Sequence, residues 1–278
     1  MGEAKKTARL RKGGLCADIM GWGAVLQKLA IDTDDGPRVI TLGFADPDLY
    51  PNHSPHFGAT AGRFANRIAH GRFTLDGTAY QLSCNQGGAH HLHGGFKGFG
   101  KRDWTLAEVA DDKAVLTLVS AAGEEGYPGT MHATTRYILA DGSTLRVELE
   151  AVSDAPTLVN LVHHSYFNLD GGGDILQSRL MIDADHYTPV TPDLIPTGEI
   201  VPVAGTLFDF RSLRTIRGDD GGKPFAYDHN FVLNRQRRDA QGLYLAARLV
   251  AARGDLAMEV WTTELGMQFY AGAKINTK

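Results

Sequence analysis

The chain has 278 residues, of which 43% are hydrophobic, and its formal net charge is −4, from 28 Lys and Arg against 32 Asp and Glu. This near balance gives no electrostatic reason to expect a nucleic acid or an anionic membrane as a partner. The length permits one large all-β domain. Cys16 and Cys84 form at most one disulfide, and reduced thiols in a cytoplasmic protein are the simpler interpretation.

The N-terminal region does not have the pattern of an export signal. Its basic residues are followed by Gly13-Gly14-Leu15-Cys16-Ala17-Asp18, where a signal peptide requires a continuous apolar stretch. The best apolar run, 114–122, is far shorter than the ~18 residues of a membrane helix. The sequence therefore predicts an unexported cytoplasmic protein with no membrane segment.

Short apolar segments separated by turns dominate the chain. In chain order, the strand candidates are 39–44, 71–75, 79–83, 104–109, 114–120, 131–139, 144–150, 243–250 and 256–262. Asp76-Gly77 and Asp141-Gly142 each separate two candidates, and Asp-Gly tolerates the positive φ angles of a tight hairpin. Residues 24–30 and 243–252 contain helix formers but lack good caps, so these segments can also be strands.

The regular spacing of strands and turns determines the predicted fold class. Turn signals about every ten residues favour a β-sandwich or barrel over alternating strands and helices. Because no linker divides the chain, we predict one domain over residues 1–278, built as a large antiparallel β-sandwich. The loops 46–58, 83–102 and 186–206 are rich in Gly, Pro or His, and long loops on a rigid scaffold often carry binding sites.

The segment Ala89–Gly95 contains three histidines. In an extended chain His91 and His93 share one face while His90 points the other way, so two imidazoles can reach one metal ion. The spacing supplies no third ligand. The alternative is that one of these histidines binds a polar ligand while the others cap turns or face solvent.

A second pair of histidines precedes the segment Ser165–Asn168. Adjacent strand residues face opposite sides, so only one of His163 and His164 can point into a cleft. Histidine is well suited to donate and recover a proton near neutral pH. The competing interpretation is a structural histidine.

Arginine-containing and glycine-rich segments elsewhere are weaker indications of a binding site. Arg63 and Arg67 offer rigid forks of donors for a sugar oxygen or a carboxylate, although surface ion pairs are the more usual outcome. The segment Gly94–Lys101 lacks the Gly-Lys-Ser/Thr ending of a phosphate-binding loop. The sequence also lacks a Gly-x-Ser-x-Gly nucleophile motif. We therefore expect no cofactor.

Taken together, five segments resemble, in the expected order, motifs of the aldose 1-epimerase (galactose mutarotase) family. They are Gly62-Arg63-Phe64-Ala65-Asn66-Arg67-Ile68, Leu92-His93-Gly94-Gly95, His164-Ser165-Tyr166-Phe167-Asn168-Leu169, Asp228-His229-Asn230-Phe231 and Gly266-Met267-Gln268-Phe269-Tyr270. The resemblance implies the galactose mutarotase-like supersandwich. It also implies an isomerase that interconverts the α and β anomers of a free hexose, of the galactose or glucose type, without a metal or cofactor.

The resemblance assigns roles to seven residues. His164 would be the catalytic acid toward the ring oxygen of the sugar. The residues that would hold the sugar hydroxyls are Asn66, Arg67, His93, Tyr166, Asp228 and Gln268. The expected partner is a monosaccharide, with no nucleic acid and no membrane, and the expected assembly is a monomer or dimer.

The sequence departs from the family pattern at two places. His163 and Val162 stand where many members have Asn and Thr. In the family, the base is a glutamate in a Leu-Glu-x-Gln-type segment downstream of the Gln-Phe-Tyr motif. The residues that follow Tyr270 here, up to Lys278, contain no such segment. The expectation is therefore that the base and the final strands are missing and that these 278 residues interconvert anomers slowly.

Two alternatives follow from the same motifs. A sugar-binding module of the same fold would bind a saccharide without turnover. A hexose-6-phosphate 1-epimerase would need a basic cluster for the phosphate. Arg211, Arg214 and Arg217 offer positive charge, but their spacing is equally that of a solvated helical turn.

Overall fold

The structure is a computed structural model that describes residues 7–54, 56–273 and 275. Its backbone contacts divide the chain into two compact units, Met1–Phe167 and Asn168–Lys278. The prediction that the final strands are missing was based on the segment after Tyr270. Lys274 and residues 276–278 of this segment lie outside the described residues. The prediction of a single domain stays a prediction.

Antiparallel strands are the main regular structure of the first unit. Its described strands are Thr7–Lys12 (β1), Leu15–Met20 (β2), Val25–Thr33 (β3), Gly36–Val39 (β4), Ala59–Ala61 (β5), Arg67–Ile68 (β6), Arg72–Leu75 (β7), Thr78–Gln81 (β8), His91–Leu92 (β9), Thr105–Val109 (β10), Lys113–Ser120 (β11), Met131–Leu139 (β12), Leu145–Ser153 (β13) and Val162–His164 (β14). Two four-stranded sheets, β1-β2-β3-β4 and β10-β11-β12-β13, are accompanied by the pairs β5-β14, β6-β9 and β7-β8.

Among the described residues of the first unit, helical structure is limited to short pieces. These are the α-helix Tyr50–His53 (α1) and the 3-10 turns Pro47–Leu49, Ala69–Gly71, Phe99–Lys101 and Glu124–Gly126. Across the described residues, no helix has the length and apolarity needed to cross a membrane.

The second unit is also built from antiparallel strands. Its described strands are Arg179–Ile182 (β15), His186–Thr188 (β16), Val201–Pro202 (β17), Arg214–Thr215 (β18), Asp219–Asp220 (β19), Lys223–Pro224 (β20), Asp228–Val232 (β21), Tyr244–Val250 (β22), Ala257–Thr262 (β23) and Gly266–Tyr270 (β24). They form the sheets β18-β15-β22-β23 and β17-β16-β21-β24 and the pair β19-β20. Its core contains the buried aromatic residues Phe210, Tyr227 and Phe231.

Side-chain alternation explains why these segments become strands. Along β12 every second residue, from Met131 to Leu139, is buried, and the residues between are partly or fully exposed. Two-residue periodicity places the apolar residues on one face, where burial of each large side chain contributes roughly 1.5–3 kcal/mol. The strands are antiparallel throughout the described pairings, and the predicted all-β fold class is confirmed.

Two segments that were ambiguous between helix and strand are strands. Residues 24–30 fall largely in β3, which pairs with both β2 and β4. Residues 243–252 fall largely in β22, which lies between β15 and β23. Each has hydrogen-bonding neighbours on both sides, and this tertiary pairing overrides a weak helical propensity.

Two local predictions were wrong. Of the candidate strand 39–44 only Val39 lies in a strand, β4. Ile40 N still donates to Leu29 O of β3 at 2.9 Å, but Leu42 N donates to Tyr166 O at 2.9 Å. The helical turn considered for Arg211, Arg214 and Arg217 does not form. Arg214 lies in β18, and its guanidinium donates to the backbone oxygen of Asp209 at 2.8 Å.

The two Asp-Gly sequences form different turns. Asp76 and Gly77 have φ angles of 48° and 78° and join β7 to β8 in a tight hairpin, as predicted. At Asp141-Gly142 the turn between β12 and β13 is longer than two residues. Asp141 Oδ1 accepts hydrogen bonds from Ser143 N at 2.8 Å and Ser143 Oγ at 3.0 Å, so the carboxylate side chain stabilises this wider turn.

Candidate active site

Asn66 and His93 hold each other through two hydrogen bonds. Asn66 directly precedes β6, His93 directly follows β9, and these two strands pair with each other. Asn66 N donates to His93 Nδ1 at 3.1 Å, and His93 N donates to Asn66 O at 3.0 Å. A backbone N–H can only donate, so Nδ1 is an acceptor and the neutral ring carries its proton on Nε2.

The imidazole of His93 stays uncharged. Burial lowers the pKa of His93 well below its ordinary value, and the charges of His56, His164, Arg67 and Lys101 lower it further. Together with the fixed tautomer, this makes the ring a neutral donor through Nε2–H.

The loop after His93 packs tightly against the backbone of Gly62. Phe99 N donates to Gly62 O at 2.9 Å. Gly94 has φ +84°, and a Cβ atom at this position would overlap the Gly62 carbonyl. Only glycine allows the chain to come this close with this backbone conformation.

Glu125 fixes the same loop from the other side. Its carboxylate accepts hydrogen bonds from Lys97 N at 2.7 Å and from Phe96 N at 3.2 Å, and it also accepts from the Ser83 hydroxyl. Charge-assisted bonds of this kind are stronger than neutral ones. The loop that begins at His93 is therefore anchored at both of its sides.

Arg67 is oriented by two amide oxygens. Its Nε donates to Gln86 Oε1 at 2.8 Å, and its Nη1 donates to Asn66 Oδ1 at 3.1 Å. Because the guanidinium is planar, these two bonds define the plane of the whole fork.

His164 enters the same region through strand pairing. In the β5–β14 register His164 lies opposite Ala59, and Gly58 N donates to His164 O at 3.0 Å. The ring centroid of His164 is 5.0 Å from that of His93 and 5.2 Å from that of Tyr166. The structure thus brings together the five predicted site residues of the first unit: Asn66, Arg67, His93, His164 and Tyr166.

His163 faces the other side of β14 and is held by hydroxyl groups. Tyr137 Oη donates to Ala24 O at 2.6 Å, so it can only accept from His163 Nδ1, which lies 3.4 Å away. Ser165 Oγ, at 2.7 Å, then donates to Nε2. Burial, followed by the charge of His164, lowers the pKa of His163 to about 4, so the ring is neutral at pH 7.

The buried His163 makes stability depend on pH. In the unfolded chain its pKa is 6.5, whereas in the native protein it is about 4. Between these values only the unfolded state takes up the proton, so stability falls as the pH falls, by about 1.4 kcal/mol per pH unit for one such group. His163→Asn is expected to flatten the decline in unfolding free energy between pH 6.5 and pH 4.

Urea unfolding at several pH values measures this slope. His132→Asn, at an exposed position on β12, is the matched control and should leave the slope unchanged. If the unfolding free energy of the wild type and of His163→Asn falls equally steeply with falling pH, the prediction that His163 is buried as a neutral ring would be wrong.

The remaining two predicted residues lie in the second unit. Gln268 on β24 is paired with Asn230 on β21, two residues from Asp228, so the two side chains are diagonal neighbours on one face. Gln268 Nε2 donates to Asp228 Oδ1 at 2.7 Å. This bond orients the carboxylate, whose two oxygens can accept several hydrogen bonds.

The metal alternative depended on His91 and His93, and the geometry of His91 does not favour it. His91 Nδ1 is 2.7 Å from Ser83 O and Nε2 is 2.7 Å from Tyr127 Oη, so both ring nitrogens are engaged within the protein. Within the part of the chain that the structure describes, no three His, Cys, Asp or Glu side chains are arranged to hold a metal ion.

Sequence reasoning missed three residues that shape this region. Gln86 and Glu125 hold Arg67 and the loop after His93, and the ring of His56 lies 4.7 Å from that of His93. His56 and Gln86 do fall in the long loops singled out from composition. No local pattern distinguishes them there, because their partners are distant in sequence.

Comparison with known proteins places the chain in a family. A family model described as aldose 1-epimerase matches residues 6–278. The chain belongs to the aldose 1-epimerase family. The aldose 1-epimerase of Escherichia coli (strain K12) is 40% identical over 266 residues, which are 93% of this chain and 76% of that protein. The galactose mutarotase of Rattus norvegicus is 41% identical over 275 residues, which are 98% of this chain and 78% of that protein.

Solved structures of aldose epimerases share the fold. An aldose epimerase homologue from C. elegans superposes with a TM-score of 0.91 at 29% identity, covering 99% of this chain and 84% of that one. The galactose 1-epimerase from Lactobacillus acidophilus NCFM gives a TM-score of 0.74 at 32% identity, covering 87% and 71%. The predicted aldose 1-epimerase family, its isomerase class and its galactose mutarotase-like fold are confirmed.

Proposed function

We propose that the protein interconverts the α and β anomers of a free hexose of the galactose or glucose type. Membership of the aldose 1-epimerase family supports this activity. The observation that carries it in the structure is the contact between His164 and His93, whose rings lie 5.0 Å apart although the residues are distant in sequence. A proton donor beside a fixed neutral donor supplies the acid for the ring oxygen and a hydrogen bond to the sugar, while the base is a separate requirement.

The reaction consists of two balanced proton transfers. His164 would donate a proton to the ring oxygen while a general base removes the proton from the C1 hydroxyl, and the bond between C1 and the ring oxygen would break to give the open-chain aldehyde. The family resemblance gives the role of base to a glutamate, and no described residue of this chain is assigned to it. Rotation about the C1–C2 bond presents the other face of the aldehyde. The same steps in reverse close the ring and return both protons, so the protein is unchanged.

The other residues would bind the sugar and offset developing charge. His93 Nε2–H and the Arg67 fork are donors held before the substrate arrives, and such donors stabilise negative charge on oxygen most effectively when they need not reorganise. Asn66 and Tyr166 would also bind sugar hydroxyls. Asp228, oriented by Gln268, would accept hydrogen bonds from sugar hydroxyls.

Exchange between the anomers tests the proposal directly. Two-dimensional exchange NMR on equilibrated galactose and glucose should show an exchange rate that rises in proportion to protein concentration above the buffer rate. Saccharide binding without such a rise would fit the sugar-binding module and equally an epimerase that lacks its general base. A strong preference for a hexose 6-phosphate over the free hexose would favour the phosphohexose epimerase.

The remaining expectations concern the setting of the protein. We propose a cytoplasmic monomer or dimer that acts on a monosaccharide, with no nucleic-acid or membrane partner. Free thiols at Cys16 and Cys84 agree with a reducing compartment.

A further inference from the structure

His56 lies outside the seven predicted site residues, yet its ring contacts two of them. Its centroid is 4.7 Å from that of His93 and 5.7 Å from that of His164. With the 5.0 Å between His93 and His164, the three imidazoles form a triangle in the first unit. The proposed roles of His164 as the acid and His93 as a neutral donor do not explain why a third imidazole, from another segment of the chain, contacts both.

The backbone around His56 fixes where this ring lies. His56 has φ +71°, a left-handed conformation that costs a non-glycine residue roughly 1–2 kcal/mol. The turn is closed by a hydrogen bond from Ala59 N to His56 O at 3.2 Å. Gly58 then links it to two strands, because Gly58 N donates to His164 O at 3.0 Å and Leu26 N donates to Gly58 O at 2.9 Å. The strained residue is therefore tied directly to the strand that carries His164.

The ring of His56 stays neutral. His56 lines a small cavity with Tyr50, Ser54, Gly100 and Lys101, but neither His93 nor His164 lines that cavity, so the place of His56 beside these two residues rests on the ring contacts. Burial lowers the pKa of His56 to about 3, and the charges of His164 and Lys101 lower it further. A neutral imidazole has one N–H donor and one acceptor nitrogen, which match the acceptor and donor of a hydroxyl group.

We propose that His56 is a third sugar-binding imidazole, whose neutral ring hydrogen-bonds one hydroxyl of the aldose held against His93 and His164. This inference rests on the proposed function, since it needs an aldose in that place. Through this hydrogen bond His56 would select among sugars by the presence of one hydroxyl. His164, by contrast, acts on the ring oxygen that every aldopyranose has.

Binding of a deoxy-sugar series to the His56→Phe variant tests this role. Phenylalanine keeps the aromatic contacts with the two neighbouring rings but removes both nitrogens. Titration calorimetry or ligand NMR would compare galactose with its 2-, 3-, 4- and 6-deoxy analogues. For galactose we expect affinity to fall about 5- to 30-fold, the usual loss for one hydrogen bond to a sugar hydroxyl. For the one analogue that lacks the partner hydroxyl, the wild type and His56→Phe should bind equally.

Controls separate this role from packing and from the proposed function. His53→Phe, at an exposed position in the same loop, should bind every sugar like the wild type. His56→Gln, which keeps a donor and an acceptor, should recover most of the affinity for galactose. If the wild type binds no aldose, the proposed function fails. If the wild type binds but His56→Phe weakens all analogues equally, or none, the inference about His56 is overturned.

A second measurement needs no destabilising variant. In long-range ¹H–¹⁵N spectra of the wild-type protein, galactose should shift the ring nitrogens of His56, and the analogue without the partner hydroxyl should not. Identical shifts from both sugars would overturn the proposal even if His56→Phe fails to fold.

Discussion

Where a general base completes the site, His164→Ala is expected to lower the protein-dependent rate of anomer exchange by about 10²–10⁴-fold, the usual contribution of one general acid; without that base both proteins should barely exceed the buffer rate. The variant removes the imidazole that would protonate the ring oxygen. It leaves His93 fixed by Asn66, so the affinity for the sugar should change much less than the rate. Exchange NMR gives the rate, and titration of the same sample gives the affinity.

His132→Ala is the control for this measurement, because it removes an exposed histidine on β12 outside the proposed site. It should exchange anomers at the wild-type rate. If the wild type clearly exceeds the buffer rate, a folded His164→Ala variant that keeps the wild-type rate would refute the assignment of His164 as the acid. A variant that loses affinity and rate to the same extent would make His164 a binding residue instead.

Gly94→Ala is expected to lower the free energy of unfolding by about 3 kcal/mol or more, with loss of sugar binding. A Cβ at residue 94 would overlap the carbonyl of Gly62, and the backbone there has φ +84°. Either the loop moves away from Gly62 or the segment that follows β5 and carries Gly62 shifts. In both cases His93 loses its fixed position.

Gly88→Ala provides a matched control in the same long loop. Gly88 has φ +71°, but a Cβ there would meet nothing within 4 Å. Only the conformational cost remains, about 1–2 kcal/mol. Urea unfolding measures both variants, and equal losses of stability would mean that the close approach of the loop to Gly62 contributes nothing.

The sequence predicted the fold class because burial in this chain follows strand periodicity. Segments such as Met131–Leu139 alternate cleanly, and the Asp76-Gly77 turn needs no tertiary information. The segment 243–252 was ambiguous because it contains helix formers without good caps. In the structure its strand β22 does not alternate cleanly, since Leu245, Ala246 and Ala247 are all buried in succession. Only pairing on both edges decides such a case.

Prediction of the site residues from the sequence was limited in a similar way. His164, His93 and the Asn66-Arg67 pair were found through motifs, whose order in the chain is itself informative. His56 had no motif, and its conformation depends on bonds to β5 and β14 that no local pattern encodes. Glu125 likewise acts on residues 96 and 97, almost thirty positions earlier in the chain. Groups that hold other groups in place are hard to predict, because their partners are defined only by the folded chain.

The pairing of β5 with β14 also determines when the imidazole cluster can form. Ala59 and His164 are about a hundred residues apart, so their register is set only after a long loop closes, at an entropic cost that local hairpins such as β7-β8 do not incur. On a growing polypeptide, the segment with His56 and the one with His93 are synthesised well before their third member. The cluster is therefore a late product of folding, and variants that weaken β5-β14 pairing should delay its assembly while the hairpins form at their usual rate.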